Sequence, residues 1–492
     1  MNVKRNNMAF VAMLGGCCLM SVATQARAFD PLLAERSITS TPAADMLHGA
    51  ICVFGDLPTP LRLQDAVERA LCRHPKTRAA WANVKIEAAV VGQRRAAFLP
   101  TLTANWQGTR DIANTRVPGS PQYDSNHGTN LQNAGASLNW VLYDFGGRSA
   151  GMRNAMELFA AAQANQQATL QTVFAMVAKH FYAAQAAYGA LLSARDVEEM
   201  ALSSVNAATA RVDKGIAAIS DQLQAQTSYA EAVVNHTKAQ TEWQNALGVL
   251  ASDMDLRPST PIELPDVTDG AVSDDAFSES VDALIEAALR DSPTVREAEA
   301  NVRAARAEAE RIRKEGAPRL SFVGQYNFNN KPTGLQQGVP PLPARHREWY
   351  LGLQLSIPIF EGFSRTYQVK QAHAQTGLRM DSLSEARQKI GLEVWSGYHS
   401  VKGSTANLGH SATLLALAQR SYEAALRRYQ AGVGHILELL NAQSGLAGAK
   451  RQRIHALTEW RSARLQLAAA LGKLEMRSVE GTPSDRDAVL RE

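Results

Sequence analysis

Two acidic residues hold equivalent places in a repeated stretch. Arg211 to Trp243 (RVDKGIAAISDQLQAQTSYAEAVVNHTKAQTEW) and Arg428 to Trp460 (RYQAGVGHILELLNAQSGLAGAKRQRIHALTEW) align without a gap. Asp221 falls on Glu438, Gly215 on Gly432, and Thr241-Glu242-Trp243 on Thr458-Glu459-Trp460, each pair 217 residues apart. A constant offset over this length marks an internal repeat. A carboxylate in the first turn of a helix complements the positive end of the helix dipole. A second pair with chemistry is Cys52 and Cys72. Among the His, Cys, Ser and Asp residues there is no zinc spacing, phosphate loop or nucleophile motif, and the eleven histidines are scattered. The sequence gives no sign of an enzyme, a cofactor or a bound metal.

Each repeated stretch reads as helix, glycine break, helix. Glycine lets the chain reverse, and Ser220-Asp221 or His435 opens the next helix. The chain thus carries two helical hairpin tips, and the rest of it must hold them.

The chain has 492 residues, 45% of them hydrophobic, enough for a sizeable core. Residues 1–28 read as a secretion signal: Lys4 and Arg5, an apolar run from Met8 to Val22, and the small-x-small site Ala26-Arg27-Ala28. Leu14-Gly15-Gly16-Cys17 offers a competing lipoprotein signal, disfavoured because the apolar run continues past Cys17. Loss of the leader removes Lys4, Arg5 and Arg27 and takes the formal charge from +4 to +1, so charge gives no argument for nucleic acid. Cys52 and Cys72 then remain. In an oxidising compartment they suggest a disulfide tying the N-terminal segment (29–60) to the first helix. Two unpaired buried thiols are the alternative.

A first repeat spans 61–257. Leu61 to Phe98 reads as one long helix with Pro75 near an early turn. In strand 99–110, Leu102, Ala104 and Trp106 alternate with Thr103, Asn105 and Gln107, a period of two that means one apolar and one polar face. Asp111 to Asn130 reads as loop. In strand 132–145, Ala134, Ala136, Leu138 and Trp140 alternate with Gly135, Ser137 and Asn139. Long helices follow at 147–214 and 219–251. A Pro- and acid-rich linker covers 258–278. The second repeat, 279–474, copies the plan: a helix, strands 318–329 and 347–360 around a Gly/Pro-rich loop, then helices 364–430 and 435–472. Tyr326 and Trp349 join Trp106 and Trp140 on apolar strand faces, where aromatic rings form interfacial girdles in membranes. The core of a soluble sandwich is the plainer alternative. The tail, 475–492, is polar. No stretch has 18 uninterrupted apolar residues. Four strands cannot close a barrel, and open edges are not tolerated in lipid, so this mixed α+β design demands oligomerisation.

The layout and motifs resemble the TolC-like outer-membrane factor family over about Leu61 to Leu474. The motifs are Phe145-Gly146-Gly147-Arg148 and Pro358-Ile359-Phe360-Glu361-Gly362 at the strand exits. At the tips they are Lys214-Gly215-Ile216 and Ala431-Gly432-Val433, followed by Asp221 to Gln226 and Glu438 to Gln443. The resemblance implies a homotrimer, with a twelve-stranded membrane β-barrel continued by an α-helical barrel across the periplasm. It implies a periplasmic adaptor docking at the Gly215 and Gly432 tips, and an inner-membrane transporter of the ABC type. It places Asp221 and Tyr429 on a gate link, Glu438 on a pore acid, and Asn441 where a second pore acid stands. Gly434 replaces a link-forming basic residue. For Asp221 and Glu438, a solvated first-turn acid is the alternative.

The resulting expectation is a passive outer-membrane exit duct. Of two cargo classes, type I protein secretion of RTX-like toxins is favoured, because Ala70 to Pro75 and Thr77 to Trp81 resemble members serving such systems. Small-molecule or drug efflux is the alternative. A periplasmic coiled-coil adaptor or scaffold is the reading from another class, and it leaves the four two-faced strands unexplained.

Overall fold

The computed structural model describes residues 30–44, 46–47, 52–265, 280–333, 342–472 and 474. The expected signal segment, most of the linker and the C-terminal tail lie outside the described residues. Helices α1 (Leu63–Arg73) and α2 (Pro75–Ala96) lead to strand β1 (Thr101–Thr115). Strand β2 (Ser125–Tyr143) returns and enters α3 (Gly147–Asp213), whose tip turns into α4 (Ile219–Asp253). The second half repeats this as α5 (Val281–Asp291), α6 (Pro293–Lys314), β3 (Arg319–Asn329), β4 (His346–Ser356), α7 (Ser364–Gln430) and α8 (Ile436–Ala470).

The one helix expected from Leu61 to Phe98 is two. Proline has no N–H to donate and pushes the residue before it out of helical geometry. His74 accordingly sits at ψ 134° and Pro75 opens α2 as its first residue. Ser292-Pro293 breaks the second half in the same way. The short helices α1 and α5 thereby lie against the middles of α3 and α7.

The four strands form one antiparallel meander, β1-β2-β3-β4. Its register puts like with like. Leu102 pairs with Leu138, Ala104 with Ala136, Trp140 with Phe322, Tyr326 with Trp349, and Phe322 with Leu353. Because side chains alternate, these pairs share one face. The other face carries Thr103, Asn105, Ser137, Asn139, Ser321, Gln325 and Gln354. Trp106, Trp349 and Leu353 are each about two-thirds exposed or more, so among the described residues nothing covers this part of the apolar face. Among the described residues no helix is long and apolar enough to cross a membrane.

Strand β1 runs on to Thr115 and β2 starts at Ser125, where the sequence reads as loop. Past Gln107 the two faces no longer differ: Arg110 and Asn114 share a face with Ile112, and Asp111 shares the other with Ala113, so alternation vanishes although the pairing continues to Thr115↔Ser125. Gly119, at φ 81°, and a 3-10 turn at Pro121–Tyr123 close the hairpin. Strand β4 ends at Ser356 rather than 360, before Pro358, which cannot donate to a ladder.

Helices α3 and α7 have 67 residues each, about 100 Å at ~1.5 Å per residue. Alanine dominates the buried face of α3, with Ala150, Ala155, Ala161, Ala162, Ala164, Ala178 and Ala184, so neighbouring helices approach closely. The main core joins α1, the middle of α3, the end of α4 and Ile262, which belongs to the expected linker yet is buried. The N-terminal segment is strapped along the outside of this region. Arg95 donates to the Leu32 carbonyl at 2.7 Å, Trp81 to Thr39 at 3.2 Å and Gln166 to Pro42 at 2.7 Å.

Candidate functional site at the hairpin tips

Both tips are built by the same hydrogen bonds. Gly215 N–H donates to Val212 and Ile216 N–H to Arg211; Gly432 N–H donates to Tyr429 and Val433 N–H to Arg428. This is the helix-ending motif that needs a left-handed residue after the last turn. Gly215 at φ 67° and Gly432 at φ 82° supply it. An L-residue there would be strained.

The acids then follow in the first turns of α4 and α8. Neither helix is opened by a side-chain cap: Ala218 and His435 hold the capping positions without such a bond, and Ser220 lies inside α4. Asp221 is half-buried and Glu438 exposed. Glu438 reaches Arg428 of its own hairpin, Oε1 to Nε at 3.4 Å. Asn441, one turn on, shares with Glu438 a groove between α7 and α8 walled by Ala418, Ser421, Ala425 and Gly445.

Tyr429 ends α7 and is buried with Ala208, Ala225, Ala425, Ile436 and Leu439. Among the described residues its hydroxyl makes no hydrogen bond of good geometry, although the Arg211 side chain approaches it. Burial pushes that hydroxyl above its ordinary pKa, the Arg211 guanidinium opposes the shift, and the Asp221 carboxylate adds to it. Asp221 is thus an electrostatic neighbour of Tyr429 and does not hydrogen-bond its hydroxyl. What touches Tyr429 is Arg211 of the first hairpin. Its guanidinium lies 4.8 Å from the ring centroid, and Nη1 donates to the Tyr429 carbonyl at 2.9 Å. Gly434 has no room for a side chain, since a Cβ would stand 2.9 Å from the Tyr429 nitrogen.

The remaining candidates lie far from the tips in sequence. Cys52 and Cys72 form a disulfide, with Cα atoms 5.7 Å apart, joining the N-terminal strap to α1. Trp106, Tyr326 and Trp349 gather toward one end of the apolar sheet face, and Trp140 lies toward the helices, its Nε1 donating to the Phe98 carbonyl at 2.9 Å. Sequence reasoning missed the rest of that lower end. Tyr143 packs edge-on against Phe145 at 4.8 Å and Phe360 against Phe363 at 5.5 Å, all four exposed. It also missed Arg211 and Arg428, although both open the repeated stretch. Their equivalence was visible; their different partners were not.

The outer membrane efflux protein family matches residues 66–252 and 284–473, one match per repeat. Protein CyaE of Bordetella pertussis is 30% identical over 98% of this chain and 98% of its own. The toluene efflux pump outer membrane protein TtgC of Pseudomonas putida is 24% identical over 83% of this chain and 82% of its own. Among solved structures, the outer-membrane channel OprN superposes with a TM-score of 0.71 at 20% identity, covering 84% of this chain and 90% of that one, which speaks to fold. A two-faced antiparallel sheet, paired overlong hairpins and a family match in each half lead to one placement: the chain belongs to the outer membrane efflux protein family and resides in the outer membrane, extending into the periplasm.

Proposed function

We propose that three copies of this chain form the exit duct of a tripartite export system, and that its main cargo is protein released by type I secretion. The carrying observation is the four-stranded sheet. Its lipid-suited face is uncovered, β1 and β4 each leave an edge unpaired within the chain, and two ~100 Å helices descend from it. Three chains, pairing β4 of one with β1 of the next, would close twelve strands. The polar face would line the lumen and the helices would wall a tunnel. Nothing in the sequence suggests nucleotide binding, so transport energy would come from an inner-membrane transporter, of the ABC type in this reading. A periplasmic adaptor would dock at the Gly215 and Gly432 turns. At the closed end, Asp221, Tyr429, Glu438 and Asn441 would form the gate and pore ring.

Supernatant proteins from a parent strain and from one lacking the chain test the cargo. Loss of one or a few large proteins, restored by complementation, is expected. An unchanged supernatant with raised sensitivity to small toxic compounds would instead favour efflux, for which relatives such as TtgC are named.

A further inference from the structure

The two tips share a backbone but not a side-chain network. Arg428, in the second hairpin, turns to its own helix partner Glu438. Arg211, its repeat mate, crosses to the other hairpin. There it makes two contacts. It donates to the Tyr429 carbonyl at 2.9 Å and it lies over the Tyr429 ring at 4.8 Å, with Gly432 leaving the space beside it open.

The position has a physical logic. Tyr429 is in the last turn of α7, where carbonyls lack helical donors and the dipole is negative. The Tyr429 carbonyl already accepts from Gly432 N–H at 3.0 Å. Arg211 uses the remaining lone pair, so a cation from the first hairpin caps the helix end of the second. The ring adds a cation–π contact, strengthened because Tyr429 is 4% exposed. Other bonds between the hairpins lie well up α3: Gln443 to the Val197 carbonyl at 3.1 Å and Lys450 to Asp196 at 2.7 Å. Those are about 20 Å from Arg211 along the helix. They can hold the shafts together while the tips part. Moving the α7–α8 tip away from α3–α4 pulls Arg211 off both contacts.

We propose that Arg211 is the latch that holds the second tip closed against the first, acting through the ring and the carbonyl of Tyr429. As a gating element, the latch rests on the duct reading above; as a tie between tips, it stands without it. Two measurements on the purified full-length protein separate these. In planar bilayers, Arg211→Ala should open about tenfold more often than wild type, Arg211→Lys should fall between them, and Lys450→Ala, which removes a shaft bond and leaves the tips intact, should match wild type. In hydrogen exchange, Arg211→Ala should speed exchange of the Gly432 to Gly434 amides about tenfold, with the Val197 region unchanged. Wild-type gating and exchange in Arg211→Ala would overturn the latch. So would Lys450→Ala opening as much as Arg211→Ala. If wild type forms no conducting channel, the duct reading falls, and the exchange result still decides whether Arg211 ties the tips.

Discussion

Glu438 and Arg428 set the charge at the tip as a pair. The carboxylate is about half exposed, and its partner is 3.4 Å away. An exposed pair of this kind is worth at most about 1 kcal/mol, or roughly a fivefold change in an equilibrium. Glu438→Gln should lower cation preference in a planar bilayer, and Arg428→Ala should raise it by freeing the carboxylate. Reversal potentials in a salt gradient would show both, and identical potentials in all three proteins would remove Glu438 from the pore. The acids themselves were legible, because their offset repeats. The cations that surround them were not, since a repeat reports equivalent positions and says nothing of where a long side chain reaches. Arg211 and Arg428 have the same place and opposite destinations. The same limit hid the fate of the Tyr429 hydroxyl, which depends on the packing of four helices.

At the scale of elements, period carried most of the information. Alternation marked the strands wherever one face was apolar, and failed from Asp111 to Thr115, where the ladder continues between faces that mix polar residues with Ile112 and Ala113. Helical composition marked α3 and α7, and proline rules place the breaks at His74 and Ser292 that the periodic pattern alone ran through. The lower aromatic ends were missed because Phe145 and Phe363 lie in the turns after the strands, both at positive φ, outside any alternating run. The sheet yields a direct prediction. Leu353 lies in the middle of the apolar run Trp349 to Leu355. Leu353→Lys should cost about 2–4 kcal/mol per chain in the bilayer and reduce the amount recovered in outer-membrane fractions. Gln354→Lys, on the opposite face, should leave recovery near normal. Equal losses would mean that the apolar face does not meet lipid. The disulfide yields another. It closes a segment of 20 residues, for which loop entropy predicts about 3 kcal/mol. Cys72→Ser should lower the unfolding midpoint of the oxidised protein, and reductant should lower wild type toward the same value. Wild type indifferent to reductant would assign that stability to core packing alone.

For the whole molecule, the two-repeat plan explains why one chain shows an unfinished object. The apolar face is uncovered, two strand edges are unpaired, and α7 exposes Tyr367, Leu378, Leu392, Trp395, Leu414 and Leu417 along its length. Each is a surface that a neighbouring copy or lipid would cover. Chemical cross-linking of membranes should therefore give a trimer band and no inserted monomer. A stable inserted monomer would contradict the closure argument.

The unpaired edges of β1 and β4 also bear on inheritance. If neither edge can rest in lipid alone, a chain enters the membrane only with its neighbours already chosen, and it cannot later be exchanged. A cell making intact and gate-defective chains in equal amounts would then hold mixed channels for their full lifetime, with about one trimer in eight wholly intact under random assembly. Tip mutations should behave as genetically dominant, whereas mutations that block strand pairing should be recessive, because such chains never join the ring.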